Sequence, residues 1–198
     1  MDRMAIVETS RLLLRLPQSS DTQPLMEIHE DPNVISRVTI TAPLSGLPAA
    51  WRMIALMVGH WHLRGYGQWT VIERATGQVV GRVGLWNPEG GPGIELGWII
   101  RRSRWGHGFA TEAAQRALSW AWDNSEIDYI ISMIEPDNAP AIRDDLSGLS
   151  RQVLTAMCQQ PFDHLRVGVG LFSIMSGLGV FNVFHRRASL LQVRYESA

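Results

Sequence analysis

The chain has 198 residues, of which 45% are hydrophobic and 19% are charged, so it suits one domain with a substantial apolar core and is not a disordered chain. Its formal net charge of −1 argues against a nucleic-acid-binding protein, which usually carries a basic excess. One cysteine, Cys158, excludes a disulfide scaffold and favours a reducing, cytoplasmic compartment. All basic residues are arginine, which excludes a lysine nucleophile and a P-loop lysine.

The first third of the chain predicts one short strand and two helices. Residues 11–16 form an apolar run with arginine at two positions, and Pro17 ends it. A helix is predicted from about residue 21 to 30, with a serine cap before it. Apolar residues recur at helical spacing over 47–64, which predicts a second helix there.

Three strands follow in close succession. Residues 68–73 and 79–86 are predicted to form a hairpin around the turn at 76–77. A polar, glycine-rich loop over 87–93 leads to the third strand at 94–100. Short connections of this kind join antiparallel neighbours, so an antiparallel meander is expected.

The next two elements complete the predicted fold. A helix is predicted from about residue 108 to 122, with alanine at 110, 114, 117 and 121 along one stripe, and a strand over 129–134. The order of elements predicts a mixed α/β domain, with a largely antiparallel sheet and flanking helices.

The junction between the strand at 94–100 and the following helix carries two closely spaced glycines, Gly106 and Gly108. Glycine lets the backbone turn tightly and approach a ligand. The first turn of a helix leaves N–H groups unpaired beside a partial positive charge, so such a loop can bind phosphate. Arg101, Arg102 and Arg104 are candidate partners for further phosphates.

The loop alone leaves alternatives open. It can be an ordinary helix start that has glycine in its turn. A Rossmann dinucleotide loop is disfavoured because Gly-x-Gly-x-x-Gly would require glycine where Thr111 stands.

Four segments in order resemble the GNAT N-acetyltransferases, most of all the RimJ/RimL-like branch that acetylates the N-termini of ribosomal proteins. The loop at 104–113, RWGHGFATEA, resembles the acetyl-CoA loop of the family. Residues 8–15 (ETSRLLLR) resemble the opening strand, and residues 93–100 (GIELGWII) resemble the fourth strand. Residues 135–143 (EPDNAPAIR) resemble the segment after the fifth strand.

The resemblance implies a GNAT-like sheet whose fourth and fifth strands splay apart, with the thioester of acetyl-CoA in the gap. It implies acetyl-CoA as co-substrate and a primary amine as acceptor, on a protein N-terminus or a small molecule. Loop amides would bind the pyrophosphate, and the fourth strand would pair with the pantetheine arm. The residues implied to bind the coenzyme are Trp98, Ile99, Ile100, Arg101, Arg104, Trp105, Gly106, His107, Gly108, Phe109, Ala110 and Asn138.

Transfer of an acetyl group to an amine requires positioning and a proton acceptor. Glu95 is the leading candidate for the general base, because related enzymes often place a carboxylate in this strand; a solvent-side strand residue is the alternative. Glu73 is a poorer candidate. A backbone N–H near Trp98 or Ile99 is the candidate oxyanion donor for the thioester carbonyl.

The acceptor pocket is expected between the helical region 21–67 and the loop 87–93. Aromatic residues lie there, although Trp61 and Trp69 are better interpreted as core. His60 and His62 diverge on a helix, so no metal site is predicted.

The resemblance ends at residue 143, so the chain is divided into a GNAT domain at 1–143 and an atypical segment at 144–198. The abrupt change suggests a shifted reading frame or a replaced C-terminus. A helix over 149–158 and a terminal strand over 189–195 are indicated, but nothing in the segment resembles the family's closing strands, so the sheet is expected to lack proper closing strands.

The uncharged run at 167–184 has the length of a membrane span, but its glycines and polar residues favour buried strands or an apolar tail. A membrane partner is therefore not expected. Homodimers are common in the family, although no self-complementary surface is evident in the sequence. Because the tail is altered, a second function stays open: a CoA-binding remnant or interaction protein with impaired catalysis.

Overall fold

A computed structural model describes residues 6–37, 45–90, 93–127, 129–134, 153–159 and 178–185. The strands are β1 (Val7–Glu8), β2 (Leu12–Arg15), β3 (Gln68–Glu73), β4 (Val79–Trp86), β5 (Glu95–Ile100), β6 (Tyr129–Ile134), β7 (Val153–Gln159) and β8 (Leu178–His185). The helices are α1 (Thr22–Glu30), α2 (Pro32–Ile35), α3 (Gly46–Arg64) and α4 (Phe109–Asn124). The strands form one sheet in the order β1-β2-β3-β4-β5-β6-β8-β7.

The strand pairing changes from antiparallel to parallel between β5 and β6. Neighbouring strands from β1 to β5 pair antiparallel, as the sequence predicts. β5 and β6 are parallel and share a single register pair, Glu95 with Ile131. The two strands therefore part beyond Glu95, and the splayed pair that the resemblance implied is confirmed.

Helix α4 covers one face of the sheet. Ala114, Ala117 and Ala121 of the predicted alanine stripe are fully buried, and so is Ala113, whereas Ala110 of the stripe is only partly buried. Small side chains allow the helix to lie close to the strands, where it packs against side chains that include Val83, Leu85, Leu96 and Ile100. The larger of the two apolar clusters among the described residues lies on this face.

Helices α1 and α3 cover the opposite face. Leu25 and Ile28 from α1, Ile54 from α3 and Ile99 from β5 form a second, smaller apolar cluster. Side chains alternate along a strand, so this face also receives Glu95 and Gly97 from β5 and Arg82 from β4. Polar side chains thus lie beside an apolar cluster on this face, and a few polar groups among apolar side chains are typical of a binding site.

The C-terminal segment differs from the sequence-based prediction. Residues predicted to be a helix over 149–158 instead contain β7, so that prediction is wrong. β7 pairs antiparallel with β8 along its whole length, and β8 pairs antiparallel with β6. The expectation that the sheet lacks closing strands is also wrong, because backbone pairing to β6 overrides the weak local signal.

The uncharged run at 167–184 is described only where it enters β8. Among the described residues, no helix is both long and apolar enough to cross a membrane. The predicted strand at 189–195 lies outside the described residues.

Candidate functional site

The glycine loop lies where β5 ends and α4 begins. Gly106 and Gly108 adopt φ of 73° and 75°, in the left-handed region that side chains other than glycine rarely enter. A Cβ built on Gly106 meets no heavy atom within 4 Å, so the loop surface is open at that position. The glycines are therefore needed for the shape of the loop rather than for packing.

Backbone amides of the loop are available to a ligand. The N–H groups of Arg104 and Trp105 bond carbonyls at Arg101 and Arg102, at 2.8 and 3.1 Å, and so form a short 3₁₀ turn. Within the part of the chain that is described, the N–H groups of Gly106, His107 and Gly108 donate to no backbone carbonyl. Several amides and the positive end of α4 thus converge, which is the arrangement that binds an anion.

An ion pair fixes this loop to the start of the sheet. Glu112, in the first turn of α4, accepts hydrogen bonds from the Arg11 N–H at 3.1 Å and the Arg11 Nε at 2.6 Å, and from the hydroxyl of Thr9. Arg11 also donates to the His107 carbonyl at 2.8 Å and stacks over Phe109, with its guanidinium carbon 4.7 Å from the ring centroid. These contacts hold the loop in place from a distant part of the sequence.

Two of the arginines before the loop are bound by carboxylates. Arg104 donates to Glu73 at 2.7 and 3.1 Å, and Arg101 reaches Glu27 at 3.3 Å. Hydrogen bonds from Arg104 lower the pKa of Glu73. Glu73 is therefore an ion-pair partner of Arg104, and the Arg101 and Arg104 side chains each contact a carboxylate.

The register of β5 shows which backbone groups face the gap. The backbone N–H of Arg101 donates to the Val80 carbonyl at 2.7 Å. In an antiparallel ladder the backbone groups of every second residue face the same neighbour, so the N–H and C=O of Ile99 also face β4. The alternate residues point the other way: the Ile94 carbonyl accepts from Ile131 at 2.9 Å. By this alternation the N–H and C=O of Trp98 face the gap, and those of Ile99 do not.

Glu95 stands at the point where the strands part. Its side chain lies on the α1–α3 face, and among the described residues its carboxyl makes no hydrogen bond. Burial raises the pKa of Glu95 to about 7, against the opposing effect of the Arg82 guanidinium. A carboxyl with this pKa changes charge near neutral pH, as a general base must.

Two polar residues from different elements bind the guanidinium of Arg82. Its Nε donates to His29 Nε2 at 3.1 Å, and its Nη1 donates to the side-chain oxygen of Gln68. Burial, with the Arg82 charge as a lesser cause, lowers the pKa of His29 to about 3, so this imidazole is neutral and accepts through Nε2. Burial lowers the pKa of Arg82 to about 10, which leaves it charged at neutral pH.

The shifted pKa of Glu95 predicts a pH-dependent stability difference. In the unfolded chain this carboxyl has a pKa near 4.5, and in the fold about 7, so ionisation between these values favours unfolding. Glu95→Gln removes that penalty. We expect the difference in free energy of unfolding between the variant and wild type to be more favourable to the variant at pH 8 than at pH 4.5, by on the order of 2 kcal/mol. Urea denaturation at both pH values measures this.

The matched control is Glu126→Gln, which changes an exposed carboxyl just beyond α4. For this control, the difference in free energy of unfolding from wild type should be the same at pH 4.5 and pH 8. An equal effect of Glu95→Gln at both pH values would show that the Glu95 carboxyl titrates normally.

Most aromatic residues predicted near the acceptor pocket are structural. Trp69 is fully buried and packs edge-on against Trp61 and Trp120, at centroid distances of 4.8 and 5.1 Å. His60 donates from Nδ1 to the Tyr66 carbonyl at 2.8 Å, and its Nε2 accepts from the Asn87 N–H at 3.0 Å. The interpretation of the tryptophans as core is confirmed.

Glu95, the Trp98 edge and the loop follow one another along the parted strands, with Glu95 where β5 and β6 separate and the loop beyond the end of β5. Asn138, the remaining predicted coenzyme contact, lies outside the described residues. Within the described ranges, no group of three or more metal-ligating side chains is close enough to hold an ion. The sequence analysis missed the Arg11–Glu112 pair and the Arg82 cluster, whose members are far apart in the chain.

Two sequence comparisons point the same way. A family model described as an acetyltransferase (GNAT) domain matches residues 11–143. The uncharacterized N-acetyltransferase p20 of Bacillus licheniformis is 31% identical over 143 residues, which are 71% of this chain and 79% of that protein.

Solved structures share the fold. An acetyltransferase from Agrobacterium tumefaciens str. C58 superposes with a TM-score of 0.70 at 21% identity, over 91% of this chain and 94% of the other. RimL, a ribosomal L7/L12 alpha-N-protein acetyltransferase solved with coenzyme A, superposes with a TM-score of 0.68 at 11% identity, over 91% of this chain and 97% of the other. At such identities the likeness concerns the fold.

Proposed function

Because the chain belongs to the GNAT family of acetyltransferases and is therefore an acyltransferase, we propose that it transfers the acetyl group of acetyl-CoA to the nitrogen of a primary amine. The observation that carries this proposal is the open loop at 106–110, whose amides lie beside the parted strands β5 and β6. We place the reaction in the cytoplasm, since the single cysteine suits a reducing compartment.

The donor is held at two places in this proposal. The pyrophosphate lies on the amides of residues 106–110, where the positive end of α4 adds a favourable field. The pantetheine arm runs along the free edge of β5, pairing with the Trp98 N–H and C=O. Asn138 adds a contact from the segment after β6, as the family resemblance implies.

The Trp98 N–H is the group best placed to polarise the thioester carbonyl. It lies on the open edge of β5, three residues beyond Glu95, which is the register partner of Ile131. A fixed backbone dipole stabilises the oxyanion that develops as the amine attacks. Ile99 does not share this role, because its N–H faces β4.

Glu95 completes the reaction as general base. Its carboxylate takes one proton from the acceptor nitrogen as that nitrogen forms a bond to the acetyl carbon. The carbon–sulfur bond breaks, and the coenzyme leaves as a thiolate that takes up a proton from solvent. A proton acceptor with a pKa of about 7 is well matched to work near neutral pH.

Two measurements on the purified chain test the proposed function. Acetyl-CoA is expected to raise the melting temperature, and release of free thiol should follow on adding an amine from a panel of peptides, polyamines and aminoglycosides. Stabilisation without turnover would instead favour a coenzyme-binding remnant with impaired catalysis. If acetyl-CoA produced neither stabilisation nor turnover, both functions would be contradicted.

A further inference from the structure

Two opposite charges face the same space beneath α1 and α3 without touching. Glu95 and Arg82 lie on one face of the sheet, on neighbouring strands. Each affects the ionisation of the other, yet no ion pair joins them within the described residues. Charges placed close together but not in contact leave room for a dipolar group between them.

Arg82 is held so that one nitrogen stays free. His29 occupies its Nε and Gln68 occupies its Nη1, while Nη2 has no acceptor in the described part of the chain. Arg82 is only partly buried, which leaves part of its surface open to a ligand. The guanidinium is thus held through Nε and Nη1, and Nη2 keeps its two N–H groups for a ligand.

Gly97 lies on the same face of the sheet as Glu95 and Arg82 and carries no side chain. A Cβ built on this glycine would lie 3.9 Å from Glu95 Oε1 and 3.7 Å from Gln68 Nε2. The absence of a side chain therefore leaves a small space bounded by the carboxyl, the amide and, through Gln68, the guanidinium. The space lies where β5 and β6 part, next to the proposed thioester.

We propose that Arg82 determines acceptor specificity by binding, through Nη2, an oxygen that lies three bonds from the amine nitrogen that is acetylated. This rests on the proposed function. With the nitrogen near Glu95, a neighbouring carbonyl or carboxylate oxygen reaches toward Arg82. The acceptor class is thus an α-amino carbonyl compound, supplied either by a peptide N-terminus or by a free amino acid.

Electrostatics supports this class over polycations. A buried guanidinium that cannot lose its proton at neutral pH repels a second ammonium group close to the reacting amine. A charge-assisted hydrogen bond to an oxygen is favourable at the same place. Polyamines are therefore expected to be poor acceptors despite their many amines.

Matched acceptors test the proposal with the unaltered protein. Alaninamide and isopropylamine differ by one carbonyl-bearing group, and each rate is divided by the fraction of free amine at the assay pH. We expect kcat/KM for alaninamide to exceed that for isopropylamine by at least about tenfold. Alanine and trialanine distinguish a carboxylate from a peptide carbonyl, and spermidine should be the poorest. Equal rates for alaninamide and isopropylamine would overturn the proposal.

Arg82→Gln and Arg82→Lys assign the preference to this side chain. The measured quantity is the ratio between the two acceptors within each variant, so a general loss of Glu95 reactivity cancels. We expect the ratio to fall toward one in both variants, and Arg82→Lys keeps the buried charge should the neutral variant fail to fold. A ratio that persists in a folded variant would overturn the assignment. Failure to acetylate any acceptor would instead contradict the proposed function.

Discussion

Glu95→Gln is expected to lower kcat by about a hundredfold or more, with little change in the KM for acetyl-CoA. Glutamine is close in shape to the carboxyl but cannot take the proton of the attacking amine. Initial rates of thiol release, at saturating acceptor and varied acetyl-CoA, measure both constants. For wild type, kcat/KM for the acceptor should also rise with pH through about 7, the pKa of Glu95, and this limb should vanish in the variant.

Glu126→Gln is again the control and should keep the wild-type rate and pH profile. An unchanged kcat in Glu95→Gln would remove Glu95 from the mechanism and leave proton transfer to water. A lost affinity for acetyl-CoA with intact kcat would make Glu95 a binding residue instead.

Gly106→Val is expected to weaken acetyl-CoA binding by about tenfold to a hundredfold. A β-branched residue at φ of 73° costs about 2 kcal/mol, so the loop changes shape and its amides no longer converge. Loss of one or two amide–phosphate hydrogen bonds accounts for the affinity change. Isothermal titration calorimetry with acetyl-CoA measures it.

Gly77→Val provides a closely matched control. Gly77 has φ of 69° and, like Gly106, no heavy atom within 4 Å of a built Cβ, but it lies in the β3–β4 turn. Both variants should lose similar stability in urea, and only Gly106→Val should lose affinity. Equal affinities for the two variants would mean that the coenzyme does not use this loop.

The sequence predicted the local elements well, and the reason is visible in them. Both strands of the β3–β4 hairpin have the predicted bounds, because alternating apolar residues around a Thr-Gly turn specify them locally. The turn at Gly106 and Gly108 could be predicted because a positive φ strongly favours glycine, which is visible in the sequence. The alanine stripe of α4 likewise predicted which face is buried.

Contacts between distant residues could not be predicted. Glu112 bonds Thr9 and Arg11, about a hundred positions earlier, and no spacing rule connects them. Arg82 likewise depends on His29 and Gln68 from two other elements. Only the three-dimensional sheet brings these side chains together, so their roles required the structure.

The strand β7 shows a different limit of sequence reasoning. Its residues, VLTAMCQ, mix strand-favouring and helix-favouring types, so local preference decides little. Antiparallel pairing with β8 supplies the missing preference. We retain as a hypothesis that the segment at 144–198 departs from the family through divergence or a shifted frame, which translation of the gene in its other frames would test.

The central claim about this protein is that backbone amides of the glycine loop bind a diphosphate beside the parted strands. Amide ¹H–¹⁵N spectra of the protein, titrated with acetyl-CoA and separately with S-acetylpantetheine, examine this directly. We predict that the resonances of Gly106, His107 and Gly108 move strongly with acetyl-CoA and little with S-acetylpantetheine, which lacks the diphosphate, whereas Trp98 responds to both. Loop resonances that stay unchanged while acetyl-CoA binds elsewhere would contradict the account.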